Sequence, residues 1–217
     1  MSGSPSDPWT TASLVVIDLE GTGAQDRDDE AILEIALVPL VAGLPDMPTS
    51  YTTLINPGRP IAARPWLSPG LTDTTLRRAP ALADIERHLV DRINGRYLVG
   101  HNVSVDWRLL HRQLPALRPA GLIDTLRLAR ALTMGRSRAL TALIHELGLT
   151  GRVNAAALGS QPHRALWDTI ATALLLPALV TRRWPTAATL GELLAEAALP
   201  LNPEKQPTAT APQLALF

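Results

Sequence analysis

Apolar positions along the chain fall into two periods. "SLVVIDLE" (13–20) is an apolar, β-branched run that ends in acids. "AILEIALVPL" and "TSYTTLINP" follow it, separated by turn-forming residues. These predict three consecutive strands in a meander. The period then changes. "ALADIERHLVDRI" puts Leu82, Ile85, Leu89 and Ile93 on one helical face. "RYLVG" reads as a short buried strand, "VDWRLLHRQL" as a helix stopped at Pro115, and "GLIDT" as a fifth short strand. "TLRLARAL" and "SRALTALIHELGL" are helical, the second stopped by Gly148. "PHRALWDTIATALLL" is a long helix with Pro162 near its start, where a missing N–H costs nothing. "TAATLGELLAEAAL" is the last helix. Strands, then alternating helix and strand, then helices predict an α/β fold. Its expected core is a mixed central sheet of about five strands flanked by helices. The domain is placed at 12–199, after a disordered 1–11 and before a flexible tail, 200–217.

Composition narrows the chemistry. The 217 residues include no Cys, which excludes disulfides, a thiol nucleophile and a thiolate metal site. That fits a reducing, cytoplasmic location. "MSGSPSDPWTT" lacks the basic and apolar regions of a signal peptide. The longest apolar run, "ATALLLPALV", is too short to span a bilayer and carries a Pro, so no membrane partner is expected. Formal net charge is zero, although a nucleic-acid binder is usually basic. A site holding several carboxylates for metal would lower net charge without weakening phosphate binding once the metal is in. Lys205 is the only lysine, so the basic charge is nearly all Arg, the better fork for phosphate.

The acids lie at informative places. In "VVIDLEGTG", Asp18 and Glu20 are two apart on a strand, so both side chains point to one face. They sit at its C-terminal end, where open α/β sheets place ligands. Gly21 and Gly23, around Thr22, let the backbone turn and a ligand approach. Paired carboxylates repel unless a cation lies between them, and oxygen-only ligation suits Mg²⁺ or Mn²⁺. Solvated acids at a strand end are the alternative. "GTG" lacks the third glycine of a dinucleotide-binding loop. In "LVGHNVSVDWRLL" a buried strand runs into His101-Asn102, and a helix opens with Asp106 in its first turn. An acid there also simply complements the helix dipole. In "PHRALWDTIATALLL", His163 and Asp168 are five apart. They converge only if His163 precedes the helix. Asp168 interrupts an apolar helix and needs a partner there or an exposed position.

Taken in order, these motifs resemble the DEDDh family of 3′→5′ exonucleases. Most similar in look are the epsilon proofreading subunits of bacterial DNA polymerase III. The resemblance runs from about Leu14 to Leu179 and includes "ILEIALV", "TTLINPGRPI", "SPGLT", "IDTLRLAR" and "LTALIHELGL". It implies an RNase H-like fold and a two-metal-ion hydrolysis of DNA from the 3′ end to 5′-mononucleotides. Asp18, Glu20, Asp106 and Asp168 would hold two divalent ions, Mg²⁺ or Mn²⁺, with His163 as general base. Arg164 stands where the sister subfamily has Tyr, which makes this the His type. Gly21 stands where many relatives have Thr, and Val105 where many have Phe. Gly21, Thr22, Gly23, Asn102 and Arg164 are the candidate nucleic-acid contacts. Trp66, Trp107 and Trp167 could stack on bases, but core packing suits Trp107 and Trp167 better. Arg164 and Arg108 are weaker candidates for phosphate.

The last five residues, "QLALF", resemble the pentapeptide that docks bacterial replication and repair proteins on the sliding clamp. Gln213, Leu214, Leu216 and Phe217 match it. An unstructured spacer of about 14 residues would give a reach of roughly 20 Å. The alternative is that Leu214, Leu216 and Phe217 fold back onto the domain. A polymerase subunit is a further possible partner. Two other functions compete: an RNA-directed exoribonuclease of the same family, and a non-catalytic nucleic-acid-binding adaptor.

Overall fold

The computed structural model describes residues 3–23, 29–61, 65, 67–132 and 137–201. Its apolar runs pair into one mixed sheet of seven strands. They are β1 (Leu14–Gly21), β2 (Ile32–Val41), β3 (Leu44–Pro45), β4 (Tyr51–Leu54), β5 (Tyr97–Gly100), β6 (Gly121–Asp124) and β7 (Ala198–Leu199). The order is β3-β2-β1-β5-β6-β7, with β4 also pairing with β2. β2 runs antiparallel to β1 and β4, whereas β5 runs parallel to β1 and β6 parallel to β5. The helices are α1 (Asp73–Leu76), α2 (Leu82–Ile93), α3 (Val103–Gln113), α4 (Thr125–Ala131), α5 (Leu140–Glu146), α6 (Thr150–Ala156), α7 (Ala165–Arg183) and α8 (Leu190–Ala197).

The five expected strands are β1, β2, β4, β5 and β6. The two additions, β3 and β7, are two residues long. The last helix stops at Ala197 rather than at Leu199, because Ala198 and Leu199 pair with β6. Helix α1 has four residues, too few to show a helical period, and α6 (TGRVNAA) buries only Val153, so neither leaves an apolar stripe in the sequence.

β1 is buried on both faces, which is why it reads as an unbroken apolar run. Leu14 and Val16 join one core with Ile170 and Leu174 of α7 and Leu193 of α8. Val15 and Ile17 join a second core with Ile85 and Leu89 of α2 and Trp107 and Leu110 of α3. Alternation then fixes the strand's end: Asp18 and Glu20 continue the Leu14–Val16 face, toward α7. Helix α7 packs across β1 and β2. By length and a mean hydropathy of 1.2 it could cross a membrane, but 67% of that stretch is buried inside the fold. It is the core helix.

The sequence predicts disorder for 1–11, yet residues 3–11 pack against the domain. Pro8 bridges to Thr189, the Trp9 amide bonds to the Ala188 carbonyl, and the Trp9 side chain is buried. The buried Trp9 ring and these backbone contacts together dock the segment.

Candidate active site

The C-terminal end of β1 supplies the first two acids. Asp18 and Glu20 lie on one face, and a bulge between Glu20 and Gly21 shifts the register against β2. Such irregularities re-aim side chains at a strand end. Asp168 comes down onto the same face from the first turn of α7. The three residues each offer a carboxylate oxygen, and these oxygens lie within 4.8 Å of one another.

Asp106 arrives from the other side. β5 pairs with β1 only as far as Val16, so the Leu19 amide beyond has no strand partner there. Asp106, in the first turn of α3, accepts that N–H at 3.1 Å. Its place is set by the turn before it. Asn102 takes a left-handed conformation, φ 75°, and its amide donates to Asp124 at 3.0 Å. Asp124 is buried and also caps α4 through the amides of Leu126 and Arg127. His101 bonds to Thr125 and to the Arg138 carbonyl. One buried carboxylate thus fixes the crossover that carries Asp106.

His163 precedes α7, as convergence with Asp168 requires. It is exposed, with φ 65°. Arg164 follows as the N-cap residue, and its guanidinium forks onto Glu34 of β2 at 2.7 and 2.8 Å. Ser68 donates to Glu20 at 2.5 Å. The roles of Glu34, Ser68 and Asp124 escaped the sequence reading, because each depends on a contact with a distant segment that leaves no periodic trace.

Burial, then repulsion from Asp106, Asp168, Glu20 and Glu34, push Asp18 well above the usual carboxylate range. Burial lifts Glu20 to about 7, against the Ser68 hydrogen bond. It lifts Asp106 to about 7, against the Leu19 hydrogen bond. It lifts Asp168 to about 6, against hydrogen bonding from the His163 backbone and the His163 charge. Carboxylates crowded this way favour a hard cation, and the donor set is all oxygen. The cluster therefore fits a divalent metal ion.

Other candidates separate cleanly. Trp107 and Trp167 are buried, and their indole N–H groups bond to the Leu201 carbonyl at 2.6 Å and the Asn154 side chain at 2.9 Å. They are core residues. Thr22 is buried and its hydroxyl accepts the Ala31 amide. Arg108 is exposed, 4.0 Å from Glu30. Trp66 and the Gln213, Leu214, Leu216 and Phe217 motif lie outside the described residues.

The family profile described as Exonuclease (RNase_T) matches residues 15–176. The chain belongs to this exonuclease family. A DNA polymerase III subunit epsilon-like protein of Rhodobacter capsulatus is 34% identical over 198 residues, 87% of this chain and 27% of that protein. The chain thus spans about a quarter of that relative's length. Exodeoxyribonuclease 10 of Escherichia coli is 31% identical over 172 residues, 79% of this chain and 70% of that protein. Exonuclease X, solved in complex with 5′ overhanging duplex DNA, matches with a TM-score of 0.59 at 30% identity. The match covers 83% of this chain and 98% of that one. The mixed sheet with flanking helices is the RNase H-like fold of these exonucleases, and the resemblance to DEDDh exonucleases and the epsilon subunit holds.

Proposed function

We propose that this chain is a metal-dependent 3′→5′ exonuclease of the DEDDh type that degrades DNA to 5′-mononucleotides in replication proofreading or repair. The observation that carries the reading is the convergence of Asp18, Glu20 and Asp168 at one strand end, with Asp106 and His163 alongside. Asp18, Glu20, Asp106 and Asp168 would hold two Mg²⁺ or Mn²⁺ ions. When bound, such ions activate the attacking water and offset charge on the leaving oxygen. His163, exposed ahead of α7, takes the proton from that water as general base. Gly21, Gly23 and Asn102 follow or flank the acids and would meet the terminal nucleotide, whereas the buried Thr22 braces the turn through the Ala31 amide.

DNA is favoured over RNA because two relatives above 30% identity are named a DNA polymerase III subunit epsilon-like protein and an exodeoxyribonuclease, and Exonuclease X, at 30%, was solved with DNA. The test uses matched 5′-labelled single-stranded DNA and RNA with Mg²⁺ or EDTA. A Mg²⁺-dependent ladder shrinking from the 3′ end of DNA supports the proposal. A ladder on RNA alone moves the function to RNA turnover. No ladder on either contradicts the enzyme reading and favours a binding adaptor.

The motif at Gln213, Leu214, Leu216 and Phe217 supports docking on a sliding clamp, through apolar anchors on a short linear segment. Docking would raise the local concentration of the nuclease at DNA threaded through the clamp. Deleting residues 213–217 should abolish clamp binding and spare activity on free oligonucleotides. Clamp binding that survives the deletion rejects this part.

A further inference from the structure

We infer that the Glu34–Arg164 ion pair is a positioning tether that holds the His163–Asp168 segment against the acidic cluster. The inference rests on the exonuclease reading above. The sequence makes Arg164 one candidate for a phosphate contact, but its guanidinium is already engaged. Glu34 is buried and accepts Nε of Arg164 at 2.7 Å, Nη2 at 2.8 Å and the Ala165 amide at 3.3 Å. One carboxylate therefore binds two successive residues at the start of α7. The remaining nitrogen, Nη1, reaches the Pro69 carbonyl at 3.4 Å, and neighbouring Ser68 donates to Glu20. The strand β2, the 68–70 loop and the head of α7 are locked through one side chain.

The segment needs such a lock. His163 sits at φ 65°, a conformation that residues with a β-carbon disfavour and that persists only where the surroundings hold it. Gln161, Pro162 and His163 are all exposed, so core packing does not supply the hold. The fork begins one residue later, and Asp168 lies one turn beyond, its amide bonded to the Arg164 carbonyl. Planar bidentate pairing fixes orientation as well as charge.

The test compares the wild type with Arg164→Gln, Arg164→Lys, Glu34→Gln, His163→Ala and the Arg164→Gln/His163→Ala double variant. Substrate is 5′-labelled single-stranded DNA with Mg²⁺. The tether predicts that Arg164→Gln lowers kcat at least tenfold with KM within twofold. Arg164→Lys keeps the charge without the fork and should behave the same way. The added His163→Ala change should then cost no more than twofold. A raised KM with kcat retained, rescue by Lys, or a full-sized His163→Ala effect in the double variant would instead make Arg164 a phosphate contact and overturn the inference.

A second readout is independent of activity. In Glu34→Gln, which keeps an acceptor for the Ala165 amide, hydrogen exchange over 161–169 should quicken at least tenfold while β1 and α2 stay protected. Unchanged exchange overturns the tether. If the wild type hydrolyses nothing yet exchange responds as stated, the tether stands and the exonuclease reading falls.

Discussion

Glu20 and Glu34 stand directly opposite each other across the β1–β2 pair. Like charges so placed repel, and the fold gives each a different partner. Arg164 forks onto Glu34, while Glu20 receives the Ser68 hydroxyl and stays lifted to about 7. One carboxylate is neutralised within the protein. The other stays in the acidic cluster, where the proposed function would have it meet a metal ion. The same short stretch, His163 to Asp168, supplies the neutralising Arg and the third cluster acid.

Removing a cluster acid should separate stability from function. Asp168→Asn deletes a charge that Glu34 and the cluster oppose. At pH 8 in EDTA the variant should gain about 1–2 kcal/mol, read as a melting temperature several degrees higher. Hydrolysis should fall by on the order of a thousandfold or more. A variant less stable than the wild type in EDTA would mark Asp168 as structural.

The raised carboxylates also fix a pH dependence. Glu20 and Asp106 at about 7 and Asp168 at about 6 lie above their unfolded values. Without metal, the folded state therefore binds more protons than the unfolded state between about pH 4 and 7. The stability these groups give is fully present below about pH 4 and is lost as pH rises through 7. Mg²⁺ competes with those protons, so its stabilising effect should grow from pH 6 to pH 8. Thermal melts with EDTA and with Mg²⁺ across that range check this. A Mg²⁺ shift that shrinks with rising pH contradicts it.

His163 acts on Asp168 through its backbone and its charge but lies outside the three-acid cluster. His163→Ala should slow turnover roughly 10²- to 10⁴-fold and leave Mn²⁺ binding, measured by calorimetry, within a few-fold of wild type. Equal loss of both would make His163 a structural residue.

Much of this site was legible because strand periodicity places residues without help. Two acids separated by one residue at the end of "SLVVIDLE" must share a face, and β1 does place them so. The His163–Asp168 spacing required His163 to precede the helix, and α7 does begin at Ala165. What stayed hidden were contacts between distant segments. Glu34 lies in a strand whose other residues are apolar, and only the fold brings Arg164 to it. Asp124 reads as a strand end but works as an N-cap and a brace for Asn102. Trp9 anchors a segment whose Ser, Pro and Gly content argues for disorder.

Asp124 gives a further check on the brace. Its Oδ1 accepts Leu126 N at 2.8 Å and Asn102 N at 3.0 Å in a buried setting. Asp124→Ala should cost about 2–3 kcal/mol by losing a cap and leaving buried donors unpaired. Hydrolysis should fall with it, because Asp106 loses the turn that aims it. Chemical denaturation and the oligonucleotide assay together test this. A stable, fully active variant contradicts it.

The most direct measurement is a crystal soaked with Mn²⁺ and a deoxynucleoside 5′-monophosphate, read by anomalous scattering. A metal centre here predicts a peak about 2.0–2.6 Å from carboxylate oxygens of Asp18, Glu20 and Asp168, with the nucleotide phosphate beside it. No peak there, or Mn²⁺ bound only elsewhere, would contradict the claim that this strand end is the metal centre of an exonuclease.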